Sequence, residues 1–169
     1  TITIISQFSG AQDHWETAVF ADDYWRYHVP DSELPTDWNS INFNDSVWAE
    51  GQGGFGYGDQ DDGTIINQTI SVYFRKTFTV YELSKLSSAV INADYDDGYV
   101  AYLNGYEVGR SYNLPEPGTF VAFDQTTSYD HEASMYAGGY PESIHLDSLF
   151  STGGGNASWC LPFDQQAAF

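Results

Sequence analysis

The chain has 169 residues, enough for one domain with a substantial core. Hydrophobic residues make up 41% of it and aromatics 17%, so burial can offset chain entropy, and wholesale disorder is excluded. Five Lys or Arg stand against 24 Asp or Glu, and the formal net charge of -19 repels phosphate backbones and anionic lipid headgroups, so neither nucleic acid nor a membrane surface is an expected partner.

In chain order, TITIISQF at 1–8 is β-branched and predicts an opening strand. Residues 50–69 include GQGGFGYGDQDDG, with six glycines, and predict a long flexible loop. VYFRKTFTV at 72–80 alternates. Val72, Phe74, Phe78 and Val80 fall on one side and Tyr73, Arg75, Thr77 and Thr79 on the other, the pattern of a strand with one dry face. SSAVINADY (87–95), YVAYL (99–103) and YEVGR (106–110) read as strands separated by Asp97-Gly98 and Asn104-Gly105, which predicts a three-stranded meander over about 87–110. A second long loop, rich in Pro, Tyr, Asp and Gly, follows over 111–145. No segment carries a ten-residue helical period and no apolar run approaches the ~18 residues of a membrane span. The expected fold is all-β, in a single domain over 1–169.

Cys160 is the single cysteine, which rules out an internal disulfide and a zinc site built from several thiolates. The chain begins at Thr1 with no Met, basic stretch or signal-type apolar segment, and is read as a mature or excised piece of something longer. The acidic composition fits secretion to an extracellular setting.

The stretches YWRYHVPDSELPTDWNSINFNDSVWAEGQGGFGYGD, YFRKTFTV and DYDDGYVAYLNGYEVGRSYNLP occur in that order over about 24–115. This series resembles the galactose-binding-like β-sandwich, or jelly roll, of secreted bacterial multidomain proteins. A weaker kinship, through YFRKTF and YLNGYEVG, is with the sugar-binding jelly roll of β-galactosidase-type hydrolases. The resemblance implies two antiparallel sheets and an accessory module that binds carbohydrate or tethers an enzyme, often with a structural calcium ion. It also places Trp25, Trp38 and Trp48 at framework positions. After Gly155-Asn156 the chain departs from the pattern. ASWCLPFDQQAAF stands where an apolar strand is expected, so 156–169 is atypical and the closing strand is missing, altered or supplied by the N-terminal extension.

Two kinds of residue are candidates for a site. Calcium takes ~6–8 oxygens from carboxylates, carbonyls and water. Asp59, Asp61 and Asp62 in the glycine loop, and Asp94, Asp96 and Asp97 before the second hairpin, are the acidic clusters that could supply them, with Asp22 or Asp23 as outsiders. The D-x-D-D-G spacing lacks a distal bidentate Glu, and Asp97-Gly98 is equally a turn signal. Aromatic side chains on loops can stack on pyranose rings while the core stays intact. Tyr57, Tyr95, Tyr99 and Tyr112, together with Trp15, are the ligand candidates, and Tyr129, Tyr136 and Tyr140 in the long loop could join them. Arg110, one of five cations, is a further ligand candidate and is also placed to pair with nearby carboxylates.

Carboxylate pairs drawn from Asp61, Asp62, Asp96 and Asp97 could serve glycoside hydrolysis, which needs two at a defined separation. No H-E-x-x-H, G-x-S-x-G or P-loop pattern accompanies them. The expected function is a non-catalytic carbohydrate-binding module, calcium-stabilised, that targets a neighbouring catalytic domain of a longer parent chain to a polysaccharide or oligosaccharide. The alternatives are a structural or adhesion module that docks neighbouring domains, and a carbohydrate-active enzyme using an Asp pair.

Overall fold

The computed structural model describes residues 2–6, 14–58, 62–79, 86–146 and 163–168, of which 2–6, 86–87 and 163–168 are described as backbone only. The strands are β1 (Ile2–Ser6), β2 (His14–Val19), β3 (Tyr24–His28), β4 (Ala49–Gln52), β5 (Phe55–Gly56), β6 (Thr64–Ile65), β7 (Tyr73–Phe78), β8 (Leu86–Ala93), β9 (Val100–Leu103), β10 (Tyr106–Arg110), β11 (Glu142–His145) and β12 (Phe163–Ala168). They form an all-β sandwich of two antiparallel sheets, ordered β11-β8-β1-β2 and β10-β9-β12-β7-β3-β4, with a small parallel pair β5-β6 beside them.

The expected opening strand is β1. It lies between β2 and β8, with Ile2 opposite Val19 on one side and Ile91 on the other. The layers meet over Val19, Ala89, Ile91 and Leu146 from the smaller sheet, packed against Trp25, Phe78, Leu103 and Val108 from the larger. Each fully buried aliphatic side chain contributes about 1.5–3 kcal/mol here. Ile144 and Val108 also border a second cluster, Tyr95, Tyr99 and Ala101, so the core runs continuously to the end of the sandwich where β8 passes to β9.

Several expectations change. The 87–110 meander is not formed, because β8 pairs in one sheet while β9 and β10 pair in the other. Asn104-Gly105 does close a tight hairpin, with φ of 52° and 84°, the two positive values that a type I′ turn requires. Asp97-Gly98 instead sits in a crossover between layers.

The strand at 72–80 was expected to have one dry face, yet Val72, Tyr73, Phe74 and Arg75 are all buried. Phe74 packs on Phe55 at 4.5 Å, while Tyr73, on the opposite face, meets Trp38 edge-on at 4.6 Å. The segment between β3 and β4 folds over that second face and is fastened there by Arg75. Its guanidinium donates to Asp45 at 2.7 Å and to the carbonyl oxygens of Trp38 and Ser40.

The atypical tail supplies the closing strand after all. The backbone of β12 fills the place between β7 and β9, with Gln166 opposite Arg75 and Tyr102, and so joins the two halves of the larger sheet.

Several glycines of the glycine-rich stretch are required by close packing rather than by flexibility. A Cβ at Gly53 would lie 1.8 Å from the Ala21 carbonyl oxygen, and one at Gly63 would lie 2.4 Å from the Gly53 carbonyl oxygen. These are backbone atoms that cannot swing aside. Gly53→Ala is therefore expected to destabilise the fold by about 2–3 kcal/mol, read as a lower urea midpoint with unchanged slope. A loss under about 0.5 kcal/mol would show that the loop gives way freely.

Candidate functional site

The β8–β9 crossover gathers most of the residues singled out above. Asp97 takes a left-handed φ of 62°, and Gly98 has no room for a side chain, since a Cβ there would lie 2.7 Å from Thr127 Cγ2 and 2.9 Å from Ser111 Oγ. The long 111–141 excursion thus packs directly on the crossover.

Asp94 accepts the backbone N–H of Ser134 at 2.8 Å on Oδ1 and that of Met135 at 3.0 Å on Oδ2. It thereby caps the 3-10 turn Met135–Ala137, which has no capping side chain of its own. Asp97 exchanges two bonds with His131. Its N–H donates to the His131 carbonyl at 2.7 Å, and its Oδ1 accepts the His131 N–H at 3.2 Å. Asp96 stays exposed, and its carboxyl is held above the usual range by desolvation first and by the Asp97 and Glu132 charges next.

Tyr95 and Tyr99 do not form a ligand patch. They are buried at 3% and 1% exposure, and both hydroxyls donate to Glu142 of β11, at 2.8 and 3.2 Å. Tyr95 also stacks on the His131 ring at 4.2 Å between centroids. Because the Tyr95 carbonyl can only accept, the 3.1 Å contact from His131 Nδ1 places a proton on that nitrogen.

Burial pushes the hydroxyl pKa of Tyr95 and Tyr99 well above the ordinary 10.0 and that of Tyr73 to about 12, and it raises that of Tyr102. For Tyr95 and Tyr99 the Glu142 carboxylate adds to the effect. Below pH 10 these phenols are neutral whether the chain is folded or unfolded, so their contribution is fully present. As pH rises above 10 the unfolded chain ionises first, and stability falls. Absorbance titration should show these four silent while exposed tyrosines ionise, with the urea midpoint dropping above about pH 10. Simultaneous ionisation of all 13 tyrosines in the folded protein would contradict this placement.

Tyr112 and Tyr129 are exposed phenols that meet as a pair, while Tyr136 and Tyr140 on the same excursion are exposed as well, at 75% and 91%. Beyond β10 the chain continues to alternate, so Ser111 points in, Tyr112 points out at 70% exposure and Asn113 points in at 3%. Asn113 Nδ2 donates to the carbonyls of Asp97 and Tyr129 at 2.7 and 2.8 Å, which fixes the side chain's orientation, and the Asn113 backbone carbonyl accepts the Ser128 N–H at 2.8 Å. The segments carrying Tyr112 and Tyr129 are thereby locked together. Their rings lie 5.4 Å apart at 45°, and the Tyr129 hydroxyl is held above its ordinary range by desolvation first and by its hydrogen bond with Tyr112 next.

The other candidates have different surroundings. Arg110 is spent on structure. It grips Glu107 through two bonds, at 2.6 and 2.7 Å, and donates to the carbonyls of Pro115 and Thr119. Trp15, half exposed, sits on the outer strand β2 of the smaller sheet, and Tyr57, equally exposed, is in the glycine loop. Trp48 is buried and Trp25 packs on the core. Asp23 caps the β2–β3 turn by accepting the Phe20 N–H. Asp62 packs its carboxylate against Gly56, while Asp59 and Asp61 lie outside the described residues.

Among the described residues no three His, Cys, Asp or Glu side chains come together as a metal site. At 94–97, backbone N–H groups point at both Asp94 oxygens and at Asp97 Oδ1. The contributions of Asn113, His131, Ser134 and Glu142 carry no local sequence signal, since their partners are distant in the chain.

No protein-family model matches the chain, and no curated protein sequence matches it. Its fold is similar to parts of solved structures that include two β-glucuronidases. One is a Bifidobacterium dentium β-glucuronidase complexed with coumarin-3-O-glucuronide, with a TM-score of 0.51 and 14% identity over 87% of this chain. The other is a β-glucuronidase from glycoside hydrolase family 2, with a TM-score of 0.50 and 14% identity over 99% of this chain. The chain spans only 19% and 14% of those proteins' lengths. At this identity the likeness is one of fold: a β-sandwich that carbohydrate-active proteins carry as a small part of a much longer chain.

Proposed function

We propose that this chain is a non-catalytic carbohydrate-binding module, acting outside the cell, that holds a longer parent protein and its catalytic domain on a neutral polysaccharide. The observation that supports this most directly is the Tyr112–Tyr129 pair, two exposed rings on backbone locked by Asn113. Open aromatic rings add nothing to the fold, whereas rings fixed in advance lose little entropy when a sugar's C–H face covers them. The surrounding charge is negative, from Asp96, Asp97 and Glu132, which favours neutral glycans over uronates. A two-ring site gives weak affinity, of the order of 1 mM, and repetition along the parent chain or its substrate supplies retention.

Affinity electrophoresis through gels containing neutral plant and microbial polysaccharides tests this reading. Retardation by at least one polymer, relieved by its soluble oligosaccharide, is expected. Unretarded migration in every gel, together with silent calorimetry, would overturn it.

A docking role has one specific observation in its favour. Trp15, Phe20 and Tyr24 are each more than half exposed on β2, the β2–β3 turn and the start of β3. Under that reading, Trp15→Ala would weaken attachment to a neighbouring domain of the parent chain and leave glycan retardation unchanged.

A further inference from the structure

The sequence points to acidic clusters as calcium ligands, but the crossover uses its carboxylates in another way. We propose that Asp94 and Asp97 are positioning residues that order the ligand loop directly, so that glycan binding through Tyr112 and Tyr129 does not depend on calcium. This rests on the reading of those two tyrosines as the binding surface.

Both carboxylates reach the same excursion, at two points. Asp97 holds His131 in both directions, through the Asp97 N–H to the His131 carbonyl at 2.7 Å and the His131 N–H to Asp97 Oδ1 at 3.2 Å. Its own carbonyl takes the Asn113 amide that also grips the Tyr129 carbonyl. Asp94 holds the next turn through the N–H groups of Ser134 and Met135, with the Ser134 hydroxyl 3.4 Å away. Ser134 then closes the turn on itself by donating its hydroxyl to the Tyr140 carbonyl at 2.9 Å. Backbone N–H groups at the head of a turn carry partial positive charge, and a carboxylate neutralises them as a bound anion would. The groups bonded to these three oxygens are N–H and O–H donors, so a metal on the same oxygens would have to compete with them.

The test compares the intact chain in calcium and in excess chelator, with two readouts. The first is hydrogen exchange of the 128–138 amides, which needs no ligand. The second is affinity for whichever neutral polysaccharide retards the protein. Exchange rates and affinity are expected to agree within about twofold between the two conditions. Asp94→Asn places a donor against an N–H, and should speed exchange at Ser134 and Met135 by about tenfold or more while weakening binding several-fold. Asp94→Glu, which keeps the charge, should recover part of both. Calcium-dependent protection or affinity would overturn the proposal, as would an Asp94→Asn variant indistinguishable from wild type in exchange. If no polysaccharide binds at all, the binding reading falls while the exchange measurement still decides what holds the loop.

Discussion

Replacing Arg75 by methionine is expected to lower stability by about 3–5 kcal/mol, the largest effect of any single substitution considered for this fold. The side chain is 4% exposed, and its charge is balanced by Asp45 at 2.7 Å. The remaining donors satisfy the Trp38 and Ser40 carbonyls, and the guanidinium lies over the Phe43 ring at 5.2 Å. Methionine fills a similar volume but leaves Asp45 without its cation and two carbonyls without donors. It also releases the β3–β4 segment from the outer face of β7, where Trp38 covers Tyr73 and Tyr102. Lysine should rescue only part, because a single ammonium cannot reproduce a planar fork with three separate acceptors. Urea unfolding followed by tryptophan fluorescence reads the change. A loss below about 1 kcal/mol would mean that the buried cation is dispensable.

The double substitution Tyr112→Ala, Tyr129→Ala should reduce affinity for the retained polysaccharide by about thirtyfold or more, enough to abolish retardation when the starting affinity is weak. Thermal stability should change by no more than about 2 °C, because both rings are substantially exposed and the clamp between their segments uses Asn113, Ser128 and backbone carbonyls. Each single variant should lose an intermediate amount. Lost binding with a large fall in stability would point to collapse of the loop, whereas unchanged binding would move the site elsewhere on the sandwich.

What was readable in the sequence was what local chemistry decides. Asn104-Gly105 turns the β9–β10 hairpin because both positions need positive φ, and the β-branched run at 1–8 yields β1. Trp25 and Trp48 occupy packed framework places. What was not readable was any role set by a distant partner. Asp97-Gly98 has the same local signature as a hairpin turn, yet His131 and Asn113 make it a crossover between layers. Asp94 stands in an acidic cluster by sequence, and the turn at Ser134 that it caps lies 40 residues further on. Tyr95 and Tyr99 looked like loop phenols until Glu142 of β11 came to lie between their hydroxyls. The tail FDQQAA shows no apolar alternation, and its role as β12 follows from the place between β7 and β9 rather than from its own pattern.

The most direct test of the central claim is a nuclear magnetic resonance titration of the labelled protein with a soluble neutral oligosaccharide from the retained polymer. Perturbations concentrated on the ring and backbone signals of 111–114 and 127–131, with Trp15 and Tyr57 unmoved, are the predicted result. Signals that shift only around Trp15 or the glycine loop, or that do not shift at all, would contradict a binding surface built on Tyr112 and Tyr129.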